Sequence, residues 1–299
     1  MKRRARRCFI GSGLLLITGI AGLCGSVLVT GLLLSRPDPA VIGPPPADLP
    51  GAETVRIPSA SGSVLAGWWI EGMQGGGAVV LMHGIHANRL SMARRAAVLR
   101  QHGFSVLLFD FQAHGESAGR HITFGHLEAL DAAAAVAFAR RRVPEEKIGA
   151  IGVSLGGAAA LLGATPLPVD ALVLESVYPD IDAALSNRLR FHLGPVIGAV
   201  FVPILTPLFK WLLPPILGVG PGDLRPLDRI AAATAPLLVA SGTLDVHTPI
   251  AETAALFARA PDPKQYWPVT GAAHVDLERR DPGAYWRVVT PFLIEWTRR

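Results

Sequence analysis

A serine lies between glycines in Gly152-Val153-Ser154-Leu155-Gly156-Gly157, after the apolar run Ile148–Ile151 and before Ala158-Ala159-Ala160-Leu161-Leu162. A strand feeding a helix through Gly-x-Ser-x-Gly is a nucleophile elbow. The turn strains the serine backbone, and the glycines let strand and helix approach closely. A hydroxyl presented there, at the positive end of a helix, can attack a carbonyl if a base takes its proton and a carboxylate orients the base. His274, in Gly271-Ala272-Ala273-His274-Val275-Asp276, follows the last expected strand and is the expected base. Asp245, reached from the run Pro236–Ala240 through Ser241-Gly242-Thr243-Leu244, is the expected acid. His247 is a rival base and Glu175 a rival acid; His114 reads as structural, His102 and His192 as surface positions. The developing oxyanion needs donors. The Leu155 N–H, at the start of the elbow helix, is one. The turn His83-Gly84-Ile85-His86 offers the Ile85 N–H as the second, with Gly84 giving the backbone freedom to present it.

These groups can meet only if they sit on loops at the C-terminal edge of one sheet. The chain between residues 53 and 298 supplies such a sheet by alternating strand and helix signals. Strands are expected at Glu53–Ile57, Val64–Glu71, Ala78–Met82, Val106–Phe109, Ile148–Ile151, Ala171–Leu174, Pro236–Ala240 and Gln265–Val269. Helices are expected at Arg89–Gln101, Thr123–Arg142, Pro249–Ala260 (capped by Thr248) and Pro282–Arg298. The reading is a mostly parallel twisted sheet with helices on both faces.

The pieces His83-Gly84, Asp110-Phe111-Gln112-Ala113-His114-Gly115-Glu116-Ser117, Gly152–Gly157, Gly242-Thr243-Leu244-Asp245 and Gly271-Ala272-Ala273-His274 occur in order, each at an expected strand end. In this the chain resembles an α/β-hydrolase-fold serine hydrolase, similar to the membrane-anchored group related to Bem46-like and ABHD-type hydrolases. The resemblance implies Ser154 as nucleophile, His274 as base and Asp245 as its orienting acid. Gln112-Ala113 stands where Arg-Gly is more usual, a departure that bears on the acyl pocket.

Outside that domain, Lys2, Arg3, Arg4, Arg6 and Arg7 precede an uncharged run from Phe9 to Leu34. That run is long enough for a helix to cross a bilayer, and the basic cluster orients it with the N-terminus cytoplasmic. The expected organisation is a signal-anchor over residues 1–34, a Pro-rich spacer over 35–51 that lifts the domain off the membrane, and a hydrolase domain over 52–299 on the extracytoplasmic side, periplasmic in a bacterium. A cleaved signal is the rival, and Arg6-Arg7-Cys8-Phe9-Ile10 resembles a twin-arginine export signal. An apolar insert at about 176–228 takes the place of a cap. Pro195, Pro203, Pro207, Pro214 and Pro215 predict short helices there. Its apolar face either packs on its own domain or dips into the bilayer surface. A membrane span in the insert would put Ser154 and Asp245 on opposite sides, so none is expected.

Charge excludes a nucleic-acid face. Of the 28 basic residues five lie before residue 8, and the remaining 23 balance 23 acidic residues. Cys8 and Cys24 are the only cysteines and both precede the domain, so no Cys/His zinc spacing exists. The elbow lacks the Lys-Ser/Thr of a phosphate loop, so neither metal nor cofactor is implied. The expected activity is hydrolysis of an ester, thioester or amide through an acyl-serine, carboxylesterase-like or lipase-like, on a small-molecule or lipid-like acyl substrate. The alternatives are a catalytically silent membrane-tethered binding module, or an acyltransferase or peptidase using the same groups.

Overall fold

The computed structural model describes Gly22, residues 24–212 and residues 214–298. Five runs, Ala78–Met82 (β3), Ser105–Phe109 (β4), Ile148–Val153 (β5), Ala171–Glu175 (β6) and Leu237–Gly242 (β7), are buried at every position. Unbroken burial is what strands covered on both faces require. Glu53–Pro58 (β1) instead alternates exposed and buried residues, as an edge strand does, and Val64–Ile70 (β2) and Lys264–Val269 (β8) complete an eight-stranded sheet. Its order is β8-β7-β6-β5-β3-β4-β2-β1. β3 to β8 run parallel, whereas β2 is antiparallel to both β1 and β4. The sheet is therefore mixed at one edge, where the five residues Ser59–Ser63 suffice to join β1 to β2.

Alternation along each strand divides the core into two layers. Ala78, Val80 and Met82 face one layer, with helices α3 (His126–Arg142), α4 (Leu155–Leu162) and α6 (Ile250–Arg259). Val79 and Leu81 face the other, with α2 (Ala93–Gln101) and α7 (Pro282–Thr297). The order, layers and crossovers are those of an α/β-hydrolase fold.

Several local expectations need correction. The helix expected from Arg89 begins as a 3-10 turn, Arg89–Met92, and becomes α-helical at Ala93. The helix expected from Thr123 begins at His126, because Phe124 and Gly125 take left-handed φ of 53° and 106°. Glu128 then binds the N–H groups of Thr123 and Gly125 at 2.9 and 2.8 Å, closing the helix start. Thr248 does not cap α6, which starts after Pro249; its hydroxyl donates to the Ser176 carbonyl at 3.3 Å.

The insert is also longer in helix than its prolines suggest. Residues Ile181–Leu212 (α5) form two helices that meet at Gly194, whose φ of 72° and ψ of 174° break the spiral. Pro195 opens the second half, where a missing N–H costs nothing. Pro203 and Pro207 lie on its exposed side, while Val202, Thr206 and Phe209 are buried on the domain. Packing of that buried stripe outweighs the hydrogen bonds the prolines forgo. The opposite side stays apolar and exposed, at Val196, Val200, Ile204 and Trp211.

The Pro-rich segment does not stand off the domain. The apolar helix Cys24–Leu34 (α1) is followed by Ser35, whose hydroxyl donates to the Gly31 carbonyl at 2.9 Å. Asp38–Pro39 then pairs in parallel with His114–Gly115. The N–H groups of Ile42 and Gly43 donate to Glu116 at 3.0 and 3.1 Å, and Leu49 is 2% exposed beside Trp68 and Ile70. An extended Pro-rich chain retains its carbonyls and most N–H groups, so it pairs as well as it spaces. The residues 2–7, Cys8 and the first part of the expected anchor lie outside the described residues. Leu49→Ala is expected to cost about 2–5 kcal/mol in urea unfolding of the full chain, where a free spacer would cost nothing.

Candidate active site

The elbow forms where β5 passes into α4. Ser154 carries φ 51° and ψ −109°, a strained conformation for a residue with a side chain. The strain is held because strand and helix touch. A Cβ on Gly152 would lie 2.6 Å from Gly157, and one on Gly156 2.4 Å from the Met82 carbonyl. The result is a nearly buried serine whose Oγ stands 3.1 Å from His274 Nε2.

His274 Nδ1 lies 2.8 Å from Asp245 Oδ2. An ionised carboxylate can only accept, so Nδ1 carries the proton and Nε2 keeps a lone pair for the serine hydroxyl. The other Asp245 oxygen accepts the N–H groups of His247 and Thr248 at 2.9 and 2.8 Å. Burial opposes the charge on Asp245, but the bonds from His274 and Thr248 prevail and hold its carboxyl below the usual range. The loops bearing acid and base are stitched together: Leu244 N–H donates to the Ala272 carbonyl at 2.9 Å, and Gly271 N–H to the Thr243 hydroxyl at 2.9 Å. Gly242 makes this approach possible, since a Cβ there would sit 2.2 Å from the Ala272 carbonyl.

The rivals are occupied elsewhere. His247 offers Asp245 its backbone, not its ring, which packs edge-on at 5.3 Å from the His274 ring. Glu175 accepts from Arg95 at 2.8 Å and from the Tyr285 hydroxyl, beneath the site. His114 is buried with its Nδ1 2.9 Å from the Gln112 carbonyl. His102 and His192 are exposed.

Ile85 borders both cavities that meet at Ser154, and Leu155 borders the smaller one. Among the described residues no protein acceptor takes either N–H. The reason for the Ile85 geometry differs from the one expected. Gly84 has no positive φ, and a Cβ there would meet nothing nearer than 3.7 Å; the left-handed residue is His86, at φ 51°. What turns the peptide is His83. Its Nδ1 lies 2.7 Å from the Gly84 carbonyl and its Nε2 accepts the Phe111 N–H at 3.1 Å. Because C=O and N–H of one trans peptide point oppositely, holding the Gly84 carbonyl aims the Ile85 N–H the other way. Burial, then the nearby His114, lowers the His83 pKa to about 3, so the ring stays neutral and can both donate and accept.

The same loop is anchored one turn on. Arg89, fully buried, pairs with Asp110 and with Glu116 at 2.5 Å and stacks 4.5 Å over Trp68. Gly115 has to be glycine, because a Cβ would fall 2.3 Å from Asp110 Oδ2. Gln112 and Ala113 border neither cavity at Ser154; Gln112 binds Glu128 at 2.7 Å, and Ala113 adopts φ 60°. Their departure from the commoner residues therefore bears on loop structure, not on the acyl pocket.

Two cavities open from Ser154. One, about 180 Å³, is bordered by His274, Arg188, Arg279 and Arg95; the other, about 60 Å³, by Leu34, Phe124, Tyr178, Ile181 and Leu185. Arg188 borders both, a placement that its sequence context does not announce. Its signal was its place in the buried stripe Ile181, Ala184, Leu185, where a charge at the next helical position is anomalous. An arrangement of this kind can pass a proton from hydroxyl to imidazole, hold the resulting cation beside a carboxylate, and meet a negative oxygen with two N–H groups.

Comparison with known proteins agrees with the fold. A family profile described as serine aminopeptidase, S33, matches residues 74–215. A thiohydrolase of Aspergillus aculeatus, AneE, is 33% identical over 140 residues, 45% of this chain and 44% of its own. Among solved structures, an esterase of Pyrococcus furiosus superposes with a TM-score of 0.71 at 28% identity, covering 88% of this chain and 98% of the esterase. An uncharacterised protein of Mycobacterium tuberculosis, Rv2307c, is 32% identical over 250 residues, 83% of this chain and 81% of its own. The chain belongs to the family of α/β-hydrolases that it shares with this mycobacterial protein.

Proposed function

We propose that the protein is a serine hydrolase that cleaves carboxylic esters or thioesters through an acyl-serine intermediate. The observation that carries the reading is the unbroken chain from Ser154 Oγ to His274 to Asp245, at 3.1 and 2.8 Å, opening on two cavities. His274 Nε2 takes the hydroxyl proton as Oγ adds to the acyl carbon. The carbonyl oxygen becomes negative and is met by the N–H groups of Ile85 and Leu155. His274 then gives its proton to the leaving oxygen or sulfur, and that bond breaks. Water, deprotonated by the same nitrogen, releases the acid and restores Ser154. Asp245, ionised throughout, offsets the imidazolium charge. The esterase and thiohydrolase among the similar proteins favour ester and thioester substrates.

The reading of residues 1–34 as an anchor with the catalytic domain outside the cytoplasm is part of the proposal. It is supported by exposed apolar residues on α1 (Val29, Leu32, Leu33) and on the outer side of α5, a concentration uncommon on a surface facing water. Within Ile181–Leu217 an 18-residue window reaches a mean hydropathy of 2.0, long and apolar enough to cross a bilayer. A span there would separate Ser154 from Asp245, so α5 is assigned to the membrane surface instead.

A fluorophosphonate probe is expected to label the wild-type protein, and neither Ser154→Ala nor His274→Ala. Ester turnover should fall by on the order of 10⁶-fold in these variants and 10⁴-fold in Asp245→Asn. The full chain is expected to stay with membranes after a high-salt wash and to leave them in detergent. His83 sets a pH dependence. Unfolded it titrates near 6.5, folded near 3, so its contribution is whole above pH 6.5 and declines as pH falls through that window, by about 5 kcal/mol at the acid end. The urea-stability advantage of wild type over His83→Gln should therefore shrink between about pH 7 and about pH 4.

A further inference from the structure

Arg188 is the anomaly of the site. It lies half-buried at the next helical position along the buried stripe of α5, borders both cavities at Ser154, and among the described residues makes no hydrogen bond or ion pair. Burial lowers its pKa from the usual arginine value, and the groups that favour its charge, Tyr178 and Asp245, act without touching it. A guanidinium withdrawn from water without a partner is costly, and it is kept only where something else compensates it. Arg95, on the same cavity, is already paired with Glu175, while Arg279 at the rim is exposed and, among the described residues, unpaired. The larger cavity thus presents two arginines with no carboxylate opposite them.

The chemistry of the proposed reaction, on which this inference rests, says which part of the substrate meets them. His274 must reach the departing atom to protonate it, and of the two cavities only the larger is bordered by His274. The departing group therefore lies with Arg188 and Arg279, and the acyl group lies in the apolar cavity of Leu34, Phe124, Tyr178, Ile181 and Leu185. We infer that the preferred substrate is an apolar acyl ester or thioester whose leaving group carries a carboxylate or phosphate, held by Arg188 and Arg279. Guanidinium binds either anion in a two-pronged fashion, so both remain within one chemical class.

The test compares butyrate esters of 4-hydroxybenzoate and 4-hydroxybenzamide, which differ by one charge at nearly constant shape, on the full chain in neutral detergent. The wild type is expected to favour the carboxylate ester in kcat/KM by roughly tenfold or more, the worth of a charge-assisted hydrogen bond. Arg188→Gln should remove most of that ratio, Arg188→Lys should retain part, and Arg279→Gln should remove less. The butyrate ester of 4-hydroxyphenyl phosphate ranks phosphate against carboxylate. Equal rates on the paired esters in the wild type, or equal losses on both in Arg188→Gln, would overturn the inference. Should the Arg188 variants not fold, the wild-type ratio and competitive inhibition by 4-hydroxybenzoate against 4-hydroxybenzamide decide it alone. Absence of fluorophosphonate labelling would strike the hydrolase reading; labelling with a ratio of one would strike only the anionic leaving group.

Discussion

A buried carboxylate surrounded by three N–H groups is the fixed point of this site. Asp245 takes one from the His274 ring and two from its own loop, and the loop is in turn hydrogen-bonded to the segment that carries His274. With acid and base locked into one unit, the remaining task of the fold is to bring that unit to Ser154. Parallel order β5-β6-β7-β8 does so, since all four strands end at the same edge. Glycines at 152, 156 and 242 mark the places where backbone meets backbone too closely for any side chain.

The opposite wall depends on a histidine that performs no chemistry. His83 stays neutral because it is buried, and only the neutral ring can donate to one peptide while accepting from another. Behind it, Arg89 joins Asp110 to Glu116, and Glu116 also holds the N–H groups of Ile42 and Gly43. The Pro-rich segment, the Ile85 turn and the loop after β4 are therefore one hydrogen-bonded body.

The order of Ser154, Asp245 and His274, and their positions after apolar runs, made their meeting legible in the sequence. Glycine spacing and strand ends are local signals, and the sheet turns local signals into a common edge. Residues acting at a distance left weaker traces. Arg188 reads as one more charge on a helix until its neighbours are known to be buried. His83 reads as part of the Ile85 turn, yet its role depends on Phe111, twenty-eight residues on. Proline misled in both directions: it marked residues 35–51 as a spacer although they pair with Gly115 and Glu116, and it marked breaks at 203 and 207 that packing overrides. The start of the helix at His126 is not legible because two left-handed residues precede it, a feature that Phe124 does not advertise.

One contact has a practical meaning. The last residue of α1, Leu34, forms part of the apolar cavity at Ser154, and its carbonyl lies 3.2 Å from His86 Nε2, just past the Ile85 turn. The N-terminal helix thus contributes to the wall of the cavity at Ser154. A shortened protein that begins after Leu34, the natural choice for easy purification, would have that cavity breached. Chain-length selectivity measured on it would describe the breach.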